Sequence, residues 1–291
     1  MPNLTHAPAL YGIASGLFEE ALGEGVRMET KAFTAGPSVV EAIFAGELDV
    51  AFIGPNPAMN AYVVSKGQAL RIISGSASGG AQLVVGSDVR RVQDLLGKRL
   101  ATPALANTQD IAARCWLRDQ GIEEGKGEDE VEVLPIPPSE VMRLFSRGEV
   151  AGAWLPEPWS SRLVIESGGS VLVDEASLWP DGRFPTTLVV ASLPALEKRR
   201  DLVRRFLSAH AEAIVRLKSD PDARRVVSRQ IERDVGFSLP PAVIERAYGN
   251  LDFSEELLTD ALAVLADRAM TLGYLRRTDG ILDALAPDLV P

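Results

Sequence analysis

One phrase occurs twice in this chain. From Val39 to Pro57 it runs as an apolar-striped helix, a Gly46-Glu47-Leu48-Asp49 turn, a short apolar strand at Val50–Ile53, a Gly54-Pro55-Asn56-Pro57 corner and a new helix. From Val141 to Trp159 the order returns: helix, Gly148-Glu149, a strand at Val150–Trp154, a Leu155-Pro156-Glu157-Pro158 corner, helix. Glycine just past a helix supplies positive φ. Asn56 is expected as an N-cap, with Pro57 at the first helical position, where a missing N–H costs nothing. A strand that stops so that a helix can begin leaves free N–H groups at the carboxyl edge of a sheet, the place where open α/β sheets bind ligands. Two such phrases predict two α/β units with equivalent loops, not a repeat array.

With 291 residues, 46% of them hydrophobic, the chain can fill one large or two medium cores. A net charge of −10 argues against a broad nucleic-acid or anionic-membrane surface, yet leaves room for a small anion held by local N–H groups. Cys115 is the only cysteine and His6 and His210 the only histidines. That removes disulfide frameworks, thiolate zinc sites and most Ser-His or Cys-His constructions. Nucleotide-binding glycine motifs and H-E-x-x-H are absent, and Gly75-Ser76-Ala77-Ser78-Gly79 has alanine where a nucleophile elbow needs serine. No apolar run reaches the roughly 18 residues of a membrane span. Neither a cofactor nor a metal is expected.

Alternation and apolar runs predict further strands at Val26–Phe33, Leu70–Ser74, Gln82–Val85, Arg99–Thr102, Val131–Ile136, Val171–Val173 and Thr187–Ala191. Gly75–Gly80 reads as a small-residue loop. Beyond Ala191 the pattern is helical, over Pro194–Leu217, Pro221–Glu232, Pro240–Tyr248 and Ser254–Leu272, and these helices are expected to cover sheet faces.

Candidate site residues fall in helix-opening loops: Asn3-Leu4-Thr5, Thr34-Ala35-Gly36, Pro55-Asn56, Ser76-Ala77-Ser78 and Asn107-Thr108-Gln109. Each alone is an ordinary cap. Five of them after strands can line a cleft with N–H and hydroxyl donors, suited to a sulfonate, nitrate or carboxylate without a lysine or arginine. Trp154, Glu157 and Trp159 form a second concentration with two readings. They are core aromatics beside a carboxylate at a helix start, or two walls for a ligand's apolar part with Glu157 taking an amine. His6 lies near a cap; His210 and Cys115 read as structural.

Pro2-Asn3-Leu4-Thr5-His6-Ala7-Pro8, the Ala45–Pro57 stretch, Ser78-Gly79-Gly80-Ala81 and Trp154-Leu155-Pro156-Glu157-Pro158-Trp159 together resemble the sulfonate/nitrate/taurine group of ABC-transporter substrate-binding proteins. The resemblance implies an α/β, two-lobed type II periplasmic-binding fold with doubly wound sheets and two hinge strands, which traps substrate as the lobes close. Lobe 1 would comprise residues 1–84 plus 187–291, the helical C-terminal region packing on it, and lobe 2 residues 85–186. Carried over by position, ligand contacts come from Asn3, Thr5, His6, Gly36, Pro37, Asn56, Ser76, Ala77 and Ser78 in lobe 1. From lobe 2 come Asn107, Thr108, Trp154, Glu157 and Trp159.

The implied role is capture of a small anion, an aliphatic sulfonate or taurine, and delivery to a membrane ABC permease by a monomer, with no bond chemistry and no nucleic acid. Nitrate, bicarbonate and a hydroxymethylpyrimidine thiamin precursor are alternative ligands. A competing class is an enzyme on the same fold, of the menaquinone-pathway or pyrimidine-precursor synthase type; the synthase calls for a cysteine-rich motif that Cys115 alone cannot form. A cytosolic ligand-sensing domain is a third reading. The resemblance places the protein in the periplasm or on the cell surface. Family members carry an export segment and a first strand before the Pro-Asn loop. Met1 stands at that strand's last position, so an apolar strand is expected upstream.

Overall fold

Two β-sheets organise the chain. The computed structural model describes residues 3–33, 35–236, 238–276 and 280–286, so the readings that fall on Met1, Pro2 and Thr34 lie outside the described residues. A 3-10 turn (Leu4–His6) opens into α1 (Ala7–Ala14), α2 (Leu17–Leu22), α3 (Gly36–Phe44), β1 (Val50–Ile53), α4 (Pro55–Val64) and β2 (Leu70–Gly79). Next come β3 (Ala81–Val85), β4 (Arg99–Thr102), α5 (Thr108–Asp119), β5 (Glu123–Glu124) and β6 (Glu130–Pro135). They lead to α6 (Pro138–Ser146), β7 (Gly152–Pro156), α7 (Trp159–Ser167) and β8 (Ser170–Asp174). A 3-10 turn (Glu175–Leu178) returns the chain to β9 (Pro185–Ser192). There follow α8 (Leu193–Lys198), α9 (Arg200–Ser219), α10 (Pro221–Val235), α11 (Pro241–Gly249), β10 (Leu251–Phe253), α12 (Thr259–Thr271) and a last 3-10 turn (Ile281–Ala284).

The first sheet, ordered β1-β9-β2-β10, is antiparallel throughout. The second, β5-β6-β4-β7-β3-β8, is parallel from β5 to β7 and antiparallel at β3 and β8. The chain crosses between them at Gly79–Gly80 and again between Asp174 and Pro185. The two-lobed α/β architecture expected from the sequence is therefore present. The first crossing comes earlier than the boundary expected at residue 84, because β3 already pairs with β7 and β8 from Ala81 and Gln82 onward.

Each sheet is packed on both faces. Ile73, Val189 and Ala191 meet Val203 and Leu207 of α9, while Leu70, Ile72, Leu188 and Val190 meet Met59 of α4 and Leu265 of α12. Phe18 stacks on Phe206 at 4.4 Å, tying α2 to α9. Leu83, Val85 and Trp154 pack under Trp116 of α5, and Val84, Ala153 and Leu155 under Phe145 and Trp159. The C-terminal helices cover the first lobe as expected, but α12 also touches α5, and α11 touches α7.

Several local expectations change for tertiary reasons. Val26–Phe33 forms no strand; its side chains are exposed or half-exposed, so its alternation marks no buried face. Ser76, Ala77 and Ser78 lie in the second half of β2, not in a loop, because β9 and β10 supply ladders on both sides of them. The registers shift at Ile72/Ser74, Gly75/Ala77 and Ala77/Ser78, the bulges that small residues permit. Asn56 is not the N-cap: the helix starts at Pro55 behind Gly54 and places Asn56 in its first turn. The helix expected over 194–217 breaks at Arg199, and the one expected from Ser254 starts at Thr259. The backbone before it is used elsewhere, Gly75 N–H donating to Glu255 O at 2.9 Å.

That contact leaves no room at Gly75. A Cβ there would lie 2.2 Å from Glu256 O and 2.8 Å from Ser254 O. Gly75→Ala is expected to destabilise the fold by about 1–3 kcal/mol in urea unfolding, the usual range for overpacking; an unchanged midpoint would contradict this packing.

Candidate functional site

The 3-10 turn Leu4–His6 lies against β2 and β9. Asn3 caps it: its Oδ1 accepts from Thr5 N–H at 3.0 Å and from the Thr5 hydroxyl at 2.5 Å. His6 Nδ1 lies 2.9 Å from the same oxygen. Desolvation lowers the His6 pKa to about 4, so the imidazole is neutral at pH 7. The Asn3, Thr5 and His6 side chains thus form a compact, uncharged polar group.

On the neighbouring strands, Ser76 Oγ and Thr187 Oγ1 are buried and make no hydrogen bond. Ala77 belongs to an apolar core with Leu4 and Phe253, and Ser78 pairs in register with Asp252 and Pro185. Thr186 Oγ1 donates within the pair of crossing strands, to Ala77 O at 3.2 Å and Gly79 O at 3.0 Å.

The starts of α3, α4 and α5 meet beside these strands. A Cβ on Gly36 would lie 2.5 Å from Pro57 Cγ, and one on Gly54 would lie 3.2 Å from Thr108 Oγ1. Gly36 is therefore needed for close approach, and Gly54 makes a tight one. Asn56 is 4% exposed, and neither Oδ1 nor Nδ2 has a partner among the described residues. A buried amide left so is expensive unless something binds to it. It lines a cavity of about 210 Å³ between the lobes, with Pro37, Val40 and Met59 on one side and Leu105, Ala106 and Ile111 on the other.

The loop carrying Leu105 and Ala106 is pinned by Asp110. That carboxylate, fully buried, accepts from Thr102 Oγ1 at 2.6 Å, Ala106 N–H at 2.9 Å and Arg114 Nε at 2.9 Å. Asn107 is spent on capping, its Oδ1 accepting from Asp110 N–H at 2.8 Å.

Trp154, Glu157 and Trp159 do not join this cavity. Trp154 is fully buried in the second lobe and its Nε1 donates to Glu175 Oε2 at 2.7 Å. Trp159 packs with Phe145 and Leu163 beneath the Arg162 guanidinium. Glu157 is fully buried beside the first crossing, its N–H donating to Gly80 O at 2.8 Å and its carbonyl accepting from Leu4 N–H at 3.2 Å. Its carboxylate accepts from the Ser161 hydroxyl at 2.9 Å and Asn250 Nδ2 at 2.7 Å, with Arg246 Nη1 at 3.4 Å. Arg246 also donates to Gln82 Oε1 at 2.8 Å and Ser161 Oγ at 2.9 Å. Glu157 is thus a lobe-to-lobe bridge, with burial raising its pKa against these bonds.

Pro37 and Asn56 are the sequence candidates that line the cavity. Arg246, Asn250 and Gln82 escaped the sequence reading, since nothing local distinguishes them from surface residues of amphipathic elements. Thr187 escaped because a hydroxyl in an apolar strand leaves no pattern.

Two α/β lobes joined by two crossing strands, with a polar-headed cavity between them, make up the periplasmic-binding-protein architecture. The chain belongs to the NMT1-like family, whose model matches residues 1–232. It is 25% identical over 215 residues to the taurine-binding periplasmic protein of Escherichia coli K12, covering 74% of this chain and 64% of that one. It is 26% identical over 265 residues to a putative aliphatic sulfonates-binding protein of Bacillus subtilis 168, covering 87% and 74%. The chain thus spans less than two thirds of the length of the taurine-binding protein. Among solved structures, the alkanesulfonate-binding protein SsuA of Xanthomonas axonopodis pv. citri, bound to MOPS, superposes with a TM-score of 0.78 at 20% identity, covering 97% and 94%. The nitrate-binding protein NrtA of Synechocystis PCC 6803 gives 0.80 at 16%, covering 99% and 84%.

Two outcomes are expected of this geometry. Arg246→Met and Glu157→Gln should couple in a double-mutant unfolding cycle by about 1 kcal/mol or more, whereas additive losses would mean the bridge does not form. Burial pushes the Glu175 carboxyl up to about 7, against the bond from Trp154 and the nearby Arg268 charge. The folded chain then holds this proton more tightly than an unfolded chain, whose ordinary value is 4.5. The stabilisation is complete below about 4.5 and is lost as pH rises through about 7. Thermal unfolding followed from pH 4.5 to 8 should show this decline, Glu157 adding to it with the same sign, and Glu175→Gln should reduce its slope.

Proposed function

We propose that this chain is the extracytoplasmic solute-binding component of an ABC importer. It takes a small organic anion, of the aliphatic sulfonate class, into the space between its lobes and hands it to a membrane permease, acting as a monomer and without bond chemistry. The observation that carries the reading is Asn56: a buried amide with both polar atoms unpartnered, in the first turn of α4, at the inter-lobe cavity. Peptide N–H groups at a helix start and a neutral amide can bind a sulfonate without a cation, as the helix dipole favours negative charge there. The names of the taurine- and sulfonate-binding relatives support the same class, and binding proteins in those names support a non-enzymatic role. Among the described residues no helix is long and apolar enough to cross a membrane, so a separate permease would supply the passage.

A hydroxymethylpyrimidine-type ligand is the second reading. It is favoured by an unpartnered amide able both to donate and to accept, as a heterocycle requires. Thermal-shift measurements with alkanesulfonates, taurine, nitrate, bicarbonate and pyrimidines separate the two. A ligand at 100 times its Kd stabilises the folded state by about 2.7 kcal/mol, a shift of several degrees. Alkanesulfonates are expected to give it, and Asn56→Ala to abolish it. A shift with pyrimidines alone would transfer the assignment to them.

A further inference from the structure

The cavity beside Asn56 is larger and more apolar than a bare anion needs. At about 210 Å³ it exceeds the roughly 150 Å³ that admits a benzene ring in a protein interior. Val40, Met59, Leu105, Ile111, Tyr274 and Leu275 give it carbon walls from both lobes, and Asn56 is the buried polar residue facing it. Among the described residues its one charged lining residue is Glu41, exposed on α3, and no lysine or arginine lines the space. Leu105 is 54% exposed although it stands at this wall, held there by the loop that Asp110 pins. An exposed leucine on a fixed loop loses water contact only when something apolar is laid against it.

Building on the binding-protein reading above, we infer that the natural ligand carries an apolar body the size of a ring or a four- to six-carbon chain, seated on Leu105, Tyr274 and Met59, with its polar head at Asn56. Taurine would fill the cavity poorly, its two carbons leaving much of the apolar wall uncovered. Nitrate would not fill it at all. Leu105 and Tyr274 then set specificity by selecting length and width, while Asn56 selects the head.

Calorimetric titration of the intact chain with methane-, butane-, hexane- and phenylmethanesulfonate tests this. Affinity should rise about fourfold for each methylene that enters the cavity, the equivalent of ~0.8 kcal/mol per buried CH2. Leu105→Ser changes an exposed position and should leave the fold intact. It is expected to weaken hexanesulfonate several-fold while leaving methanesulfonate unchanged, and Tyr274→Ser should act likewise on the phenyl compound. Affinities that are flat with chain length, or equal losses on short and long sulfonates, would overturn the inference. A parallel series of hexanoate, hexan-1-ol and benzamide separates it from the sulfonate assignment. If these bind with the same tail dependence and the same Leu105→Ser loss while sulfonates do not, the head-group assignment falls and the apolar seat stands. If no tailed compound of either series binds, the apolar seat is wrong.

Discussion

The antiparallel pairing of β2 with β9 is the constraint on which the rest of this molecule depends. All eight residues of β9 are buried, and β2 is buried over most of its length. These two strands occupy the middle of the first sheet, and the chain leaves that sheet at the end of one and returns at the start of the other. A ladder buried on both faces is hard to open, so these two strands form a fixed base from which the chain crosses to the second lobe. The bulges at Ser74, Gly75 and Ala77 bend that end, and their small side chains let the 254–256 backbone approach it.

Around this pair the lobes meet through two different kinds of contact. On the α11–α7 side the contact is polar, an arginine, a glutamate and three amide or hydroxyl partners sharing their bonds across the boundary. On the α12–α5 side it is apolar: Ile111 and Cys115 enter the same core as Met59, Leu265 and Ala269, and Arg268 lies over Trp179. Directional bonds hold a fixed arrangement while they are made, and a buried carboxylate left without them is destabilising. Apolar contact is non-directional and tolerates sliding. The cavity lies on the second side, bounded by α3, α4 and the loop before α5.

That division separates the candidate residues that line the cavity from those that do not. Glu157 and Asn56 occupy equivalent corners in the repeated phrase, and by symmetry both looked ligand-facing. Their neighbours differ, because α11 has returned from the far end of the chain to cover one corner and left the other open. Trp154 was a possible ligand wall, yet its place in β7 between two sheet neighbours directs it under Trp116, where Glu175 takes its N–H. Ser76 and Ser78 looked like loop residues because β10, three residues long, offers too little pattern to be seen beforehand.

Legible in the sequence were the two α/β units, most of their strands, the strand near residue 187, the helical cover and the helix starts that carry Asn56 and Thr108. Those follow from local periodicity, glycine and proline placement and apolar runs, which act within a few residues. Which corner is open, which carboxylate is a bridge and which side chains wall the cavity follow from contacts between distant parts of the fold. Each of those is fixed by pairings between residues more than eighty positions apart, Glu157 with Arg246 and Asn250, Gln82 with Arg246, or by walls drawn from both ends of the chain, such as Val40 and Tyr274. A side chain's role there depends on what arrives opposite it, and no local pattern records that.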